Sequence, residues 1–111
     1  MIRIGKRYLE KRKEIIMLTN INHVCISVAH LQRALEYYQQ NFNCDVEHHD
    51  EFQVVLSFEN IKLVLVLLSE EPAHIAYDMD SVKDGDVNYD GSHSTYTHDG
   101  FGNIVEHIKK N

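Results

Sequence analysis

Apolar residues along this chain change their spacing several times, and each change marks an element. From Ile21 to Val28 side chains alternate in kind, with His23, Cys25 and Ser27 on one face and Val24, Ile26 and Val28 on the other. That period of two predicts a strand with one face against a core and one face more polar. The spacing then shifts to Leu31, Ala34, Leu35, Tyr38 and Phe42, which lie on one side of a helix over about 30–42. Short β-prone runs follow near 45–49, 52–58 and 61–68, the last two joined through a turn at Glu59-Asn60.

After the plain connector Ser69-Glu70-Glu71-Pro72 the order begins again. Pro72 to Met79 is a second β-prone run with a histidine, His74, near its beginning, as His23 is in the first. Strands are expected near 94–98 and 103–109 around the turn Asp99-Gly100-Phe101-Gly102. The closing segments also match, Glu59-Asn60-Ile61-Lys62-Leu63-Val64 against Gly102-Asn103-Ile104-Val105-Glu106-His107. One piece differs. Where the first half has its helix, the second reads SVKDGDVNYDG, rich in Asp and Gly, which favour turns over helix interiors. A helix there should be absent or a single turn. The expected architecture is therefore α+β: two βαβββ modules, about 20–68 and 72–111, forming two curved mixed sheets around a cleft, with the second module lacking most of its helix.

Charge narrows the partners. The 111-residue chain carries a net −6, but residues 1–16 hold six basic against two acidic side chains, +4, and the remainder five against fifteen, −10. So acidic a body would repel a phosphate backbone, which excludes nucleic acid as a partner. The longest apolar run, Leu63 to Leu68, is far shorter than the roughly 20 residues needed to span a bilayer. The basic head has no apolar stretch behind it of the kind a secretion signal needs. Cys25 and Cys44 alone make no disulfide framework, and a cytoplasmic location is expected. Residues 1–19 are expected to be an extension. Within it Lys13-Glu14 can be encoded as a purine-rich ribosome-binding sequence two codons before Met17, so translation is expected to begin at Met17.

Candidate chemistry lies on the polar faces. Glu106 sits between Ile104 and Ile108, where a carboxylate is costly unless paired or coordinated. His23 and His74 occupy repeat-related places, and two histidines with one carboxylate can form a facial triad on a divalent metal with open positions for substrate. His48-His49 and His93/His98 compete as ligand sets but lack the repeat symmetry, and are expected to be solvated.

The stretches INHVCISVAHLQRALEYYQQNF, AHIAYDMD and GSHSTYTHDGFGNIVEHI resemble the vicinal oxygen chelate superfamily, over about residues 19–111 apart from the missing helix. That superfamily includes glyoxalase I, fosfomycin-resistance proteins, bleomycin-binding proteins and extradiol dioxygenases. Its final turn usually reads DPDGN, a role filled here by Asp99-Gly100-Phe101-Gly102-Asn103. The resemblance implies His23, His74 and Glu106 as ligands of one divalent ion, be it zinc, manganese, nickel or iron. It also implies Tyr96 as a substrate contact, with simple packing as the alternative. Cys25, on the same face as His23, is a soft ligand, a redox-sensitive thiol or a small core residue. Glyoxalase I has a fourth ligand, a glutamate on the last strand of its first module. The repeat alignment puts Leu63 there.

The function this implies is that of a small metal-dependent lyase or isomerase acting on a compact, oxygen-rich substrate chelated to the ion. The alternatives are a non-catalytic binding or sequestering protein of the drug-resistance type, and a relative of the fosfomycin-type thiol transferases. Relatives of this size are usually homodimers, so a homodimer is expected, with His23 from one chain completing a site with His74 and Glu106 of the other.

Overall fold

The structure, a computed structural model, describes residues 18–110. The segment 1–16 and the start at Met17 lie outside the described residues. In chain order the elements are β1 (Ile21–Val28), α1 (Leu31–Asn41), β2 (Asp45–His49), β3 (Gln53–Ser57), β4 (Lys62–Leu67), β5 (His74–Asp78), β6 (Asp86–Val87), β7 (His93–His98) and β8 (Ile104–Lys109). Apart from the short β6, the period-two and helical spacings set these elements to within about two residues of where the sequence places them.

The strands form one mixed sheet in the order β2-β3-β4-β1-β5-β8-β7-β6. The two expected sheets are its halves, joined where β1 pairs antiparallel with β5. On one side of that seam β1 runs parallel to β4, and on the other β5 runs parallel to β8. The internal repeat is thus a near-twofold arrangement about the β1–β5 seam. Such a sheet curls as its strands twist, leaving a concave face.

Helix α1 covers the outer face of the first half. Leu31 and Leu35 are buried against Val54, Leu56 and Leu65, with Ile26, Val28, Leu63 and Leu67 packed around them. The helix ends add little: His30 makes no side-chain cap, the first turn has no acid and the last no base. An 11-residue helix so poorly capped is held by its packed face. Phe42, just past its end, stacks on Tyr38 and meets Phe58 edge-on, sealing the exit.

Among the described residues the second half has no such cover. Between β5 and β7 the chain makes turns and the two-residue strand β6. Asp84 takes a left-handed φ of 54°, and Gly85 then runs so close to β7 that a Cβ there would lie 2.8 Å from the Ser94 carbonyl oxygen. This tight pass across β7 replaces the helix. The final hairpin is also shaped by backbone: Gly100 and Gly102 hold φ of 87° and 97°, and Asp99 Oδ1 accepts hydrogen bonds from the Phe101 and Asn103 amides. No helix among the described residues is long and apolar enough to cross a membrane.

Candidate metal centre

The alternation on β1 sends Ile26 and Val28 under the helix and His23 and Cys25 into the concave face. There Cys25 lies with Val55, Val64 and Val66 in a small apolar cluster, and all but Val66 line a cavity of about 280 Å³. The β1–β5 pairing sets Cys25 opposite His74, and the β5–β8 pairing sets Ala76 opposite Glu106. His23, His74 and Glu106 consequently meet at the seam, with their ligand atoms all within 4.8 Å of one another. Among the described residues this is the only group of three or more His/Cys/Asp/Glu side chains close enough to share an ion. Cys25 is 1% exposed and beside it, but is not a member.

All three side chains come from one chain. Within the single chain the six residues from Leu68 to Ala73 let β5 fold back beside β1, which brings His23 to Glu106.

The orientation of each group is fixed from behind. His23 Nδ1 lies 2.7 Å from Asn22 Oδ1, and the Asn22 amide donates to Asp78 Oδ1 at 2.8 Å. That amide orientation leaves Asn22 Oδ1 as an acceptor, so His23 Nδ1 carries the proton. His74 Nδ1 is 2.9 Å from the Pro72 carbonyl oxygen, an acceptor only, and must also be protonated. Both Nε2 atoms face a single oxygen, Glu106 Oε1, at 3.2 Å from His23 and 2.7 Å from His74. The other oxygen, Oε2, accepts a hydrogen bond from Ser94 Oγ at 2.7 Å. Ser94 Oγ in turn accepts one from Asn88 Nδ2, also at 2.7 Å.

These spacings suit an ion. Ligand atoms each about 2.1 Å from one centre lie about 3 Å apart at adjacent octahedral positions and about 3.4 Å apart in a tetrahedron. Two of the three pairs here, Nε2–Oε1 at 3.2 and 2.7 Å, fall near that range. Histidines that ligate metals almost always donate their other ring N–H to a carbonyl or carboxylate, and here both donate it to a carbonyl-type oxygen. The donor set of two neutral imidazoles and a carboxylate fits a borderline divalent cation.

Without an ion, Glu106 and His74 support each other's charge. Glu106 is 3% exposed, and burial alone would push its carboxyl up. Hydrogen bonds from His23, His74 and Ser94 outweigh that and hold it well below its ordinary range. Burial likewise lowers His74, but the Cys25 thiol, the Glu106 carboxylate and the Pro72 carbonyl lift it to about 10.

Tyr96 stands at the mouth, 43% exposed, its ring edge-on to His74 at 5.6 Å and its hydroxyl 3.4 Å from Glu71 Oε1. Burial and the charges of Glu106 and Glu71 keep its phenol protonated. It therefore faces the cavity as a donor. The Glu71 backbone is tied down by Ser27, whose Oγ donates to its carbonyl at 2.9 Å.

Among the other histidines, His49 and His98 are exposed and His93 half-buried. His48 is engaged structurally, bonding Asp50 at 2.6 Å and stacking on Tyr89 with ring centroids 4.0 Å apart. The Tyr89 hydroxyl also donates to Glu47 at 2.5 Å, and Glu47 takes Lys62 Nζ at 2.8 Å. Tyr89 belongs to the β6–β7 loop and Glu47 to β2, so this contact clasps opposite edges of the sheet across the cavity. No local pattern of residues signals the clasp, because its partners lie 42 positions apart. Ser94 is more accessible to sequence reasoning, since alternation puts it on the face of Tyr96.

One detail of the repeat alignment shifts. With His23 matched to His74, the strand registers match Lys62 to Ile104 and Val64 to Glu106. Val64 lines the cavity, whereas Leu63 packs toward the helix. The position of a fourth ligand is thus held by Val64 rather than Leu63, and it is still apolar.

No family model and no curated protein matches this sequence. Solved structures do. A methylmalonyl-CoA epimerase in complex with methylmalonyl-CoA and NH4+ aligns with a TM-score of 0.72 at 18% identity, over 85% of this chain and 96% of that one. The Mycobacterium tuberculosis methylmalonyl-CoA epimerase aligns with a TM-score of 0.66 at 16% identity, over 82% and 87%. A hypothetical protein from Bacillus halodurans aligns with a TM-score of 0.71 at 16% identity, over 86% and 96%. The fold is that of the vicinal oxygen chelate superfamily, to which these epimerases belong.

Proposed function

We propose that this chain is a divalent-metal enzyme of the lyase or isomerase type, acting on a small oxygen-rich substrate held at His23, His74 and Glu106. The observation that carries the reading is the tautomer assignment. Both histidines spend Nδ1 on a fixed acceptor and turn Nε2 toward the same carboxylate oxygen. A structural core histidine has no need of that convergence. A bound ion would supply Lewis acidity toward two neighbouring substrate oxygens. The chain's own residues do the rest. Val55, Val64 and Cys25 give a floor without competing donors, and Tyr96 offers a hydroxyl proton at the mouth. Glu71, beside Tyr96, is the carboxylate placed to take a proton from a ligand in the cavity.

The solved neighbours include isomerases, which supports the reaction class. Their CoA ligands are a poorer guide to the substrate. Glu70, Glu71, Asp90 and Glu106 line this cavity, and its one lysine, Lys62, is paired with Glu47. Such a lining favours an uncharged or cationic ligand over a phosphorylated one.

Metal analysis of the purified protein, with His23→Ala and Glu106→Ala as controls, tests the reading. One divalent ion per chain, lost in both variants, is the expected result. Protein that stays metal-free and resists loading with zinc, manganese, nickel or iron overturns it, and leaves a non-catalytic binding protein as the function.

A further inference from the structure

The loop between β6 and β7 makes two contacts in opposite directions from adjacent residues. Asn88 reaches inward. Its Nδ2 donates one proton to Ser94 Oγ at 2.7 Å and the other to Ser92 Oγ at 3.0 Å. Because that amide nitrogen can only donate, Ser94 must direct its single hydroxyl proton elsewhere, and it goes to Glu106 Oε2 at 2.7 Å. Ser94 is 1% exposed, so no solvent competes for it. Tyr89 reaches outward, to Glu47 and the ring of His48 on β2, at the far edge of the sheet. The loop itself is closed by Asn88 N–H to the Ser92 carbonyl at 2.8 Å and Gly91 N–H to the Asn88 carbonyl at 3.0 Å. A backbone movement of this tightly closed loop away from β2 therefore carries Asn88 and Tyr89 together.

We propose that Asn88 is a positioning residue which, together with Tyr89, makes closure of the cavity and placement of the Glu106 carboxylate a single event. The proposal rests on the metal reading of His23, His74 and Glu106. With the clasp shut, Asn88 holds Ser94, Ser94 holds Oε2, and Oε1 is left facing the two histidines. With the clasp open, Ser94 loses its donor, its hydroxyl is free to rotate, and Oε2 loses the bond that fixes the plane of the carboxylate. By linkage the effect runs both ways: whatever fixes Glu106 also favours the closed clasp. Neither Asn88 nor Tyr89 needs to touch the ion for this.

Cobalt(II) affinity and the visible absorption of the cobalt-loaded protein measure the first direction. Ser94→Ala and Asn88→Ala each should weaken binding about tenfold or more, the usual range for partners behind a ligand. Tyr89→Ala, which removes only the clasp, should weaken it by at least about fivefold and alter the spectrum, with Tyr89→Phe between it and the unaltered protein. The Asn88→Ala/Tyr89→Ala double variant should lose clearly less than the product of the two single losses, since both act through one device. Independent effects that multiply, or a Tyr89→Ala protein within about twofold of the unaltered one, would overturn the proposal.

The reverse direction needs no variant, so misfolding of one cannot spoil it. Cobalt should slow amide hydrogen exchange over residues 86–92 in the unaltered protein, although none of those residues is a ligand. Bound cobalt with unchanged exchange there overturns this coupling while leaving the metal reading intact. Failure of cobalt, zinc, manganese, nickel and iron to bind at all overturns both.

Discussion

His74 carries the clearest consequence at the scale of single residues. In the metal-free protein its raised pKa, about 10 against an ordinary 6.5, makes it an imidazolium paired with Glu106 at neutral pH. Folding stability from a raised histidine is fully present below the unfolded value and is lost as pH rises through the folded one. The contribution of His74 should thus fade between pH 6.5 and about 10. Glu106 has the opposite sign: its lowered pKa gives stability that is present above 4.5 and lost on acidification below it. Thermal melts of chelator-treated protein should reach their highest midpoint between these limits and fall toward alkaline pH, and His74→Gln should flatten the alkaline fall. An ion takes the place of that proton. Binding at pH 7 should release close to one proton, read from calorimetry in buffers of different ionisation enthalpy.

How much of this is legible in the sequence varies by residue. Glu106 stands out because its neighbours Ile104 and Ile108 mark a strand face on which a lone charge is costly. His23 and His74 stand out through the repeat. Asn88 does not, because an asparagine in a turn is common and only its hydrogen-bond partner sets it apart, and alternation gives Ser94 a face but not its bond to Glu106. The slip from Val64 to Leu63 has a plain physical cause. The two closing hairpins differ in length, and the Asp99–Asn103 turn contains two glycines at positive φ where the first has Glu59-Asn60. Aligning the asparagines of the turns therefore displaces the strands by one residue, and one residue moves a side chain to the other face of a sheet.

At the scale of elements, the helix and its absence are both written locally. Leu31, Ala34, Leu35 and Tyr38 recur with helical spacing, and the structure packs that stripe into the core. The SVKDGDVNYDG segment has no such stripe, and its Asp84 and Gly85 are used for a tight turn. Residue types alone do not reveal how closely that turn passes β7. A methyl group at Gly85 would meet both Val82 Cγ1 at 2.7 Å and the Ser94 carbonyl oxygen at 2.8 Å. Backbone cannot yield as a flexible side chain can, so Gly85→Ala should displace the start of β7. Since Ser94 holds Glu106, the substitution should lower the unfolding free energy by about 1–3 kcal/mol, the range for overpacking, and weaken metal binding as well. Urea denaturation and a cobalt titration on the same sample would check both effects.

On the scale of the whole molecule, the pairing of β1 with β5 decides the most, and it is a long-range choice. Local patterns show two similar halves but not whether their facing edges join within one chain or between two. In the single-chain arrangement the candidate site straddles the seam, with His23 from the helix-covered half and His74 and Glu106 from the uncovered one. Among the described residues the halves are unequal in support, since only the first has a packed outer layer. An ion bound at the seam would then serve as a cross-link between a sturdy half and a weak one. Chemical denaturation should show it. Metal-free protein should unfold in two stages, the second half first, whereas the loaded protein should unfold in one cooperative step at a higher midpoint. The missing helix would thereby make the ion responsible for the cooperativity of the fold, so that a chain deprived of metal would lose not only a reactive centre but its integrity as a single unit.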